Sequence, residues 1–337
     1  MLVRNISLKP HNTFSIDVSA AYFSTFDSIK NLTELLLQSK KLPIFILGGG
    51  SNVLFTEDYK GLVLKNEILG FKKIEENHNS VVIEAGAGIN WHTFVVKCID
   101  LNYGGLENLS LIPGNIGASP MQNIGAYGVE IKDVFEYLDA LHIATGKLKR
   151  FYKTDCAFDY RESIFKRKLK GEYIICRVAY RLSKNNHKLN TSYGAIEAEL
   201  KKMQITKPTI RDVSNAVIAI RQSKLPDPSK IGNAGSFFKN PVVPKKTLRE
   251  LLKIYPNIPY YPAQNQEVKL AAGWLIEQAG WKGKTFKDQY GVHKRQALVL
   301  VNYKDAKGKE ILKLSEKIIT DVARKFDVRL EREVNIL

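Results

Sequence analysis

The sequence predicts a mixed α+β protein with more than one domain. Apolar stripes at helical spacing alternate with short apolar runs of strand length, and glycine-rich segments interrupt them. The chain has 337 residues, enough for two or three cores, and its 44% hydrophobic and 25% charged residues are ordinary for a globular protein. No apolar run approaches the roughly 18 residues that span a bilayer, so we expect no membrane partner.

The start of the chain and its cysteines indicate a cytoplasmic protein. Residues 1–20 lack the apolar core and the cleavage site of a secretory signal. The cysteines Cys98, Cys156 and Cys176 are odd in number and form no CxxC pair, which argues against a disulfide framework or a zinc site. We therefore expect each cysteine to be a small buried residue, and we expect no metal.

The net charge of +17 indicates an anionic partner, either nucleic acid or a polyanionic small molecule. The one dense basic run, residues 166–170, is followed by Gly171 and is typical of a solvated loop. No basic patch interleaved with aromatic residues and no zinc-finger spacing accompanies it. Nucleic-acid binding is therefore the second interpretation, and we expect the positive field to attract a diphosphate or a dinucleotide to a cleft.

Helices and strands alternate in the first third of the chain. An apolar stripe follows Asp27-Ser28, which can cap a helix, and residues 43–47 read as a buried strand that ends at a glycine turn. Residues 81–85 are a second short strand. Residues 91–99 carry the apolar face of a helix after Asn90.

The middle of the chain, residues 134–182, mixes short apolar runs with charges and suggests a β-rich α+β region. Residues 213–220 then form a helical stripe, preceded by a capping box of Thr209 and Asp212. Residues 224–228, with two prolines, break the chain. We place a domain boundary there.

The C-terminal third predicts two helices and a last strand. Residues 271–278 continue helically up to Gly280, and residues 311–322 mark a long helix. Residues 328–336 alternate between apolar and polar side chains. That alternation places Glu331 and Glu333 on the side of the strand away from the core.

The first glycine segment, residues 47–55, reads as a strand, a glycine turn and a second apolar run. It lacks the third glycine of GxGxxG, and no helix clearly opens after it, so it is not a dinucleotide-binding fingerprint. Consecutive backbone N–H groups in such a turn can still form an anion-binding nest. A tight hairpin turn remains the alternative.

The second glycine segment, residues 104–128, is dense in Gly, Pro, Ser and Asn over about 25 residues, which is long for an ordinary connection. Its regular apolar residues argue against disorder, and its small residues suit a backbone that lies against a large planar ligand. An elaborate structural loop is the alternative. Residues 86–88 are a candidate third ligand-binding element, with a simple turn as the other interpretation.

Together these residues resemble the UDP-N-acetylenolpyruvoylglucosamine reductases, flavoproteins of peptidoglycan precursor synthesis. The resemblance covers nearly the whole chain and rests on five segments, residues 47–55, 105–129, 160–163, 224–241 and 330–334. The sequence 191–194 and an insertion at 260–274 also look like the longer, type I subclass. Arg332 stands where many members have proline.

The resemblance implies an α+β protein, with an FAD-binding fold of the vanillyl-alcohol-oxidase (PCMH) type and a C-terminal α/β substrate-binding domain. Residues 1–71 and 328–337 would form the first FAD-binding subdomain. Residues 72–226 would form the second, and residues 227–327 would form the substrate-binding domain. We expect a monomer with no nucleic-acid partner.

The resemblance further implies FAD as the cofactor, NADPH as the co-substrate and a UDP-sugar as the substrate. The reaction would be the reduction of UDP-N-acetylglucosamine enolpyruvate to UDP-N-acetylmuramate. The implied FAD contacts are Gly48, Gly49, Gly50, Ser51, Asn52, Pro113, Gly114, Gly117, Ala118, Ser119, Gln122, Asn123, Gly125, Ala126 and Tyr127. The implied substrate contacts are Tyr193, Arg221, Lys224, Asn240, Tyr261, Lys269 and Gln296. Arg221 and Lys224 are one helical turn apart, so both can reach one diphosphate.

Hydride addition to an enolpyruvyl group leaves negative charge that spreads onto its carboxylate, so the site needs a cation at that carboxylate and a proton donor over the carbon. The resemblance assigns the cation to Arg161, the proton to Ser236 and enol stabilisation to Glu333. Glu331 is the alternative acid on the same face. Without the resemblance, Arg161 would be a surface ion pair, Ser236 a turn residue and Glu333 an exposed carboxylate.

The alternative function is another FAD-dependent oxidoreductase of the same fold that acts on a different alcohol or sugar. It would explain the glycine segments. It would not explain Arg161, Ser236 and Glu333 together.

Overall fold

A computed structural model describes residues 2–39, 42–263 and 265–337 of the chain, which divides into two compact units. Unit 1 comprises Met1–Ile6, Ala20–Gly49 and Lys60–Ser223. Unit 2 comprises Ser7–Ser19, Gly50–Tyr59 and Lys224–Leu337. The division into two FAD-binding subdomains and a substrate-binding domain stays a prediction.

Both units mix helices and strands, as predicted. The α-helices are α1 Ile29–Gln38, α2 Trp91–Asp100, α3 Gly194–Lys202, α4 Ile210–Lys224, α5 Lys245–Ile254, α6 Ala272–Gln278 and α7 Gly308–Phe326. The strands are β1 Val3–Ser7, β2 Ser19–Phe26, β3 Ile44–Leu47, β4 Val53–Leu54, β5 Tyr59–Asn66, β6 Phe71–Glu76, β7 Ser80–Gly86, β8 Gly125–Ala126, β9 Val129–Glu130, β10 Phe135–His142, β11 Leu148–Tyr152, β12 Tyr173–Ser183, β13 Gly232–Asn233, β14 Val242–Pro244, β15 Tyr260–Pro262, β16 Glu267–Leu270, β17 Thr285–Phe286, β18 Tyr290–Val292, β19 Leu300–Asn302 and β20 Asn335–Ile336.

Unit 1 contains two larger sheets and the cores that pack on them. One sheet has the order β1-β2-β5-β3, and the other has the order β11-β10-β12-β7-β6 with antiparallel pairing throughout. Helix α2 buries Trp91, Phe94 and Cys98 in the same cluster as Tyr180 of β12. This core forms a firm support beneath the segment 104–128.

Local signals fix where the predicted helices of unit 1 begin. The side chain of Ser28 accepts a hydrogen bond from the N–H of Asn31, and that of Asn90 accepts one from the N–H of Thr93. At the start of α4, the carboxylate of Asp212 accepts from both the N–H and the hydroxyl of Thr209. The predicted caps are therefore confirmed.

Unit 2 contains a four-stranded sheet, β13-β19-β18-β17, and a three-stranded sheet, β14-β16-β15. Helix α7 packs on β18 and β19, and helix α5 packs on β14 and β16. The insertion at 260–274 supplies β15, β16 and the start of α6. Gln264, within this insertion, lies outside the described residues.

The predicted continuous strand at 328–336 is wrong. Only β20 is a regular strand, and it pairs in parallel with β4. Upstream, Arg332 forms an isolated antiparallel bridge with Phe238. The segment stays extended but changes its pairing partner midway, so its alternating side chains look like one strand in the sequence.

The structure confirms the expected burial of the cysteines and the expected exposure of the basic run. All three cysteines are free and buried, and burial raises the pKa of the Cys156 thiol to about 12. Arg167, Lys168 and Lys170 in the dense basic run are exposed. In the described part of the chain, the helices are too short or too polar to cross a bilayer.

Candidate active site

The segment from β13 to β14 carries Ser236 in unit 2. Gly235 has φ +67°, and a Cβ built on it would meet nothing within 4 Å. Ser236 is partly buried, whereas Phe237 and Phe238 are fully buried and pack edge to face. The N–H of Phe237 donates to the carbonyl oxygen of Leu298 over 2.8 Å. The turn therefore presents Ser236 beside an open space on a rigid aromatic base.

Glu333 is tied to the same turn by its backbone. Its N–H donates to the carbonyl oxygen of Phe237 over 2.9 Å. Its own carbonyl oxygen accepts from the side-chain amide of Asn52 over 3.4 Å. Unit 2 thus holds Glu333 next to the residue that follows Ser236, with Asn52 of the first glycine segment bonded to it.

Glu331, the alternative acid, forms an ion pair with Lys239. The ammonium of Lys239 lies 2.6 Å from Oε1 of Glu331, and the N–H of Lys239 donates to the carbonyl oxygen of Glu331 over 2.9 Å. The Lys239 side chain is only 8% exposed, against 71% for Glu331. Glu331 therefore compensates the charge of the largely buried Lys239 ammonium.

Asn240 and Gln296 both lie close to the start of α6. The side-chain oxygen of Asn240 accepts from the N–H of Ala272 over 3.0 Å. That of Gln296 accepts from the N–H of Leu298 over 3.3 Å. A Cβ on Gly273 would lie 3.0 Å from the same Gln296 oxygen. Since Leu298 also bonds Phe237, Gln296 belongs to the surroundings of Ser236.

The three-stranded sheet presents Tyr261 and Lys269. Lys269 of β16 is in register with Val242 on one side and with Tyr261 on the other, so the three side chains share one face. Tyr261 is 37% exposed and Val242 is 42% exposed, whereas Val268 and Leu270 point into the core. The outer face of this sheet is open to a ligand.

Arg161 lies in unit 1 against the second glycine segment. Its backbone has φ +54°, and its guanidinium donates to the carbonyl oxygens of Gly125 and Asn123. The neighbouring Asp159 forms an ion pair with Arg167. Arg161 is therefore supported by backbone carbonyls rather than placed on an open surface, and left-handed backbone at a non-glycine residue often marks a functional position.

The two glycine segments meet in unit 1. A Cβ on Gly49 would lie 3.0 Å from the Cα of Gly114 and 3.0 Å from the side-chain oxygen of Asn115. Gly48 lies beside the same asparagine, and Pro113 precedes the contact. Glycine lets the two backbones approach this closely, and glycine-rich backbone of this kind can contact a phosphate.

Several predicted FAD contacts use their side chains inside the protein. The hydroxyl of Ser119 bonds that of Tyr180 over 2.7 Å, and the amide nitrogen of Asn123 donates to the carboxylate of Glu130 and the carbonyl oxygen of Asp159. The side chains of Ser119 and Asn123 therefore help to hold the shape of this segment. The remaining predicted contacts of this segment, in a short 3-10 turn and around β8, are Gly117, Ala118, Gln122, Gly125, Ala126 and Tyr127.

Gly50, Ser51 and Asn52 fall in unit 2. Gly50 has φ +64°, and a Cβ on it would lie 2.0 Å from the carbonyl oxygen of His11. The glycine is required at this point by the shape of the turn.

Two predicted substrate contacts of unit 1, Tyr193 and Arg221, lie close to Tyr127. Its ring packs edge to face with Tyr193, 5.5 Å between centroids. Burial raises the pKa of Tyr127, and a hydrogen bond to Arg221 opposes that shift. Arg221 also donates to the carbonyl oxygen of Leu111 over 3.2 Å, and burial lowers its pKa. Lys224, at the end of α4, is exposed.

Sequence reasoning missed two polar residues of this region. Nδ1 of His92 accepts the N–H of Leu111, and the side-chain amide of Asn108 donates to the carbonyl oxygens of Tyr127 and Asn190. The amide oxygen of Asn108 is buried without a partner in the described structure. A histidine in a first helical turn and an asparagine in a loop are too common to stand out in a sequence.

Metal ligands do not cluster in the described ranges, where no three His, Cys, Asp or Glu residues are close enough to hold an ion.

Comparisons with known proteins cover the whole chain. Residues 227–337 match the family described as UDP-N-acetylenolpyruvoylglucosamine reductase, C-terminal domain, and residues 24–152 match the FAD binding domain family. The UDP-N-acetylenolpyruvoylglucosamine reductase of Flavobacterium johnsoniae is 52% identical over 333 residues, which are 99% of this chain and 98% of the relative. That of Amoebophilus asiaticus is 50% identical over 338 residues, 100% of this chain and 99% of the relative.

A solved structure confirms the predicted fold class. The chain is similar to the crystal structure of UDP-N-acetylenolpyruvylglucosamine reductase from Thermus caldophilus, with a TM-score of 0.69, 20% identity and coverage of 100% of this chain and 98% of that one. Identity of this order supports the fold alone. Together with the relatives that match along their full length, it identifies the chain as a member of the UDP-N-acetylenolpyruvoylglucosamine reductase family.

Proposed function

We propose that this chain reduces UDP-N-acetylglucosamine enolpyruvate to UDP-N-acetylmuramate, with FAD as cofactor and NADPH as hydride donor, in peptidoglycan precursor synthesis. The observation that carries the proposal is the identity of about half of all residues with reductases over their full lengths. The turn of Ser236, bonded by backbone to Glu333, supports it with the chemistry the reaction needs.

The glycine segments of unit 1 fit FAD. The backbones of Gly49 and Gly114 approach each other closely, and glycine turns of this kind can present backbone N–H groups to a pyrophosphate. Tyr127 and Ala126 continue the same backbone toward Arg161. When bound, FAD supplies the redox chemistry that carries hydride from NADPH to the enolpyruvyl double bond.

Ser236 is the proposed proton donor. Its hydroxyl makes no hydrogen bond to any described residue, so the proton is available to a ligand in the open space beside Gly235. The buried rings of Phe237 and Phe238 hold the turn fixed. A fixed donor over the reacting carbon costs no rearrangement at the moment of proton transfer.

Arg161 and Glu333 are the proposed stabilisers of the enol. A guanidinium keeps its charge at every working pH and matches the two oxygens of a carboxylate, so Arg161 suits the substrate carboxylate. Its support by carbonyl oxygens of residues 123 and 125 keeps the planar group oriented. Glu333 is preferred to Glu331 because its N–H bonds the carbonyl oxygen of Phe237, the residue that follows Ser236.

The UDP moiety is proposed to lie along unit 2. Lys269 supplies a cation on the same sheet face as Tyr261, and Asn240 and Gln296 supply amides near the Ser236 turn. Lys224 and Arg221 on α4 and Tyr193 at the start of α3 remain proposed contacts. Because Arg221 already bonds Leu111 and Tyr127, Lys224 is the better placed of the two cations for a diphosphate.

The proposal is tested by separating the two halves of the reaction in a Ser236→Ala variant. We expect NADPH to reduce its flavin at the normal rate, whereas the UDP-enolpyruvyl sugar no longer reoxidises it. Ser229→Ala removes an exposed serine whose hydroxyl bonds only its turn neighbour Asp227, so it is the matched control and should reoxidise normally. Normal reoxidation in Ser236→Ala would remove Ser236 as the donor. Failure of the unmodified protein to reoxidise with this sugar would instead favour an oxidase of another alcohol or sugar.

We further propose that the protein is a cytoplasmic monomer without a nucleic-acid partner. Three buried thiols without disulfides suit a reducing compartment. Light scattering of the purified chain, with and without RNA at low salt, tests whether it is a monomer and whether it binds nucleic acid. We expect the protein to have the mass of one chain in both samples. A larger particle without RNA would contradict the monomer, and one that appears only with RNA would contradict the absence of a nucleic-acid partner.

A further inference from the structure

The backbone of Leu111 is held from both sides within unit 1. Its N–H donates to Nδ1 of His92 over 3.0 Å, and its carbonyl oxygen accepts from Nε of Arg221 over 3.2 Å. His92 lies in the first turn of α2, and Arg221 lies in the last turn of α4. Two helices that are far apart in the sequence therefore hold the backbone of one loop residue by hydrogen bonds.

Leu111 needs such support because its backbone is strained. Its φ is +59°, in the left-handed region that a residue with a Cβ disfavours by about 1–2 kcal/mol. Leucine has no side-chain hydrogen bond with which to compensate. The conformation therefore persists only while the surrounding structure imposes it.

The rest of this segment is fastened on either side of Leu111. Nε1 of Trp91 donates to the carbonyl oxygen of residue 109 over 2.8 Å, and the N–H of Trp91 donates to that of Gly114 over 2.9 Å. The buried hydroxyls of Ser110 and Ser214 bond each other over 2.7 Å. Leu111 is the strained point between these anchors, two residues before the segment that meets Gly49.

We propose that His92 and Arg221 are positioning residues for the cofactor: by holding Leu111 in its left-handed conformation, they keep residues 113–114 in the shape that receives FAD. The inference rests on the proposed function, in which this segment contacts FAD. Only the neutral imidazole can do this, because a protonated Nδ1 cannot accept the N–H of Leu111.

The surroundings of His92 favour its neutral form. Burial lowers the pKa of His92, and the positive charge of Arg221 lowers it further. Arg221 is the charged group that acts on this imidazole, and it interacts with Tyr127 as well as with the carbonyl oxygen of Leu111. FAD affinity should therefore be constant where His92 is neutral and should fall as the pH drops through the lowered pKa of His92.

Three substitutions of histidine test the proposal. His92→Leu removes the acceptor. His92→Asn places an amide oxygen where Nδ1 stood, which accepts the N–H but does not titrate. His78→Asn changes an exposed histidine of the same unit whose ring has no hydrogen bond to the described residues. The dissociation constant of FAD is measured by titrating the flavin-free full-length chain, following quenching of flavin fluorescence from neutral to acid pH.

We expect His92→Leu to bind FAD about tenfold more weakly at neutral pH, the effect of one lost buried hydrogen bond. His92→Asn should bind close to normally there and should lack the acid loss of affinity that the unmodified chain and His78→Asn both show. An acid loss that persists in His92→Asn, or an unchanged dissociation constant in His92→Leu, would overturn the proposal.

A second measurement separates positioning from general destabilisation. Leu111→Gly removes the steric cost of the left-handed conformation, so His92→Leu should weaken FAD binding less in that background than alone. Equal losses in both backgrounds would contradict the proposal. Because FAD binding is read without substrate, the expected titrations together with no reoxidation by the UDP-sugar would support this inference and overturn only the proposed reaction.

Discussion

Two glycines of unit 2 share a backbone conformation but differ in the space around them. Gly50 has φ +64° and Gly235 has φ +67°. A Cβ on Gly235 would meet nothing within 4 Å, whereas one on Gly50 would lie 2.0 Å from the carbonyl oxygen of His11. Gly50→Ala and Gly235→Ala therefore form a matched pair. Both variants place a Cβ on left-handed backbone, so the difference between their losses of unfolding free energy measures the effect of the close contact with His11 alone.

The structure sets the size of each loss in the free energy of unfolding. A Cβ in the left-handed region costs about 1–2 kcal/mol, and Gly235→Ala should lose that much and no more. At Gly50 the backbone must also move away from His11. Forcing extra atoms into a packed site costs about 1–3 kcal/mol more, so Gly50→Ala should lose about 2–5 kcal/mol in all.

Urea unfolding of the flavin-free chain measures both losses, because Gly50 is also a proposed cofactor contact and bound FAD would confuse the comparison. Two of the three tryptophans, Trp274 and Trp281, lie in unit 2, so their fluorescence follows the unit that carries both substitutions. Equal losses in the two variants would refute the argument from space. A larger loss in Gly235→Ala would refute it more strongly.

Three further outcomes are expected. Arg161→Ala should keep its FAD and its flavin reduction by NADPH but reoxidise slowly with the UDP-sugar in stopped-flow absorbance, and loss of the flavin itself would mean that the role is misassigned. Tyr180→Phe should lower the free energy of unfolding, measured in urea, by about 1–3 kcal/mol, because it leaves the buried hydroxyl of Ser119 unpaired. Adding Ser119→Ala should recover part of that loss. Losses that simply add in the double variant would contradict the 2.7 Å hydrogen bond between the two hydroxyls. A thiol reagent at neutral pH should modify none of the three buried cysteines in the native chain and all of them in urea, whereas rapid reaction of the native chain would contradict their burial and raised pKa values.

The helices were predictable because their signals are local. Ser28, Asn90 and the pair of Thr209 and Asp212 each cap the helix that follows, and the apolar stripes behind them are buried. A cap acts within three residues, so a short stretch of sequence contains everything that decides it.

The last segment and the strain at Leu111 were not predictable for the opposite reason. Residues 328–336 alternate as a strand does, but their partners, Phe238 and then β4, come from distant parts of the chain. Leucine is ordinarily a residue of helices and cores, so the sequence gives no sign of the left-handed backbone of Leu111 or of its bonds to His92 and Arg221. Contacts between residues far apart in the sequence do not change the local order of apolar and polar residues, so that order does not predict them.

The candidate site stands between these cases. Composition and spacing marked both glycine segments as unusual. They did not single out Ser236 or Arg161, which look like a turn residue and a surface cation. Only the family resemblance identified these two residues as candidate catalytic residues. The backbone bonds of Phe237 to Leu298 and Glu333 show that, within unit 2, residues far apart in the sequence lie next to the Ser236 turn.

Unit 2 is assembled from three separate stretches of the chain, Ser7–Ser19, Gly50–Tyr59 and Lys224–Leu337. The N–H of Asn233 donates to the carbonyl oxygen of Thr13, and β4 pairs with β20. On a ribosome, the first two stretches emerge early and must wait, with their apolar residues uncovered, until nearly the whole chain has been made. A fragment that begins at residue 224 would lack the strand with which its own C-terminus pairs, so we expect it not to form unit 2 by itself.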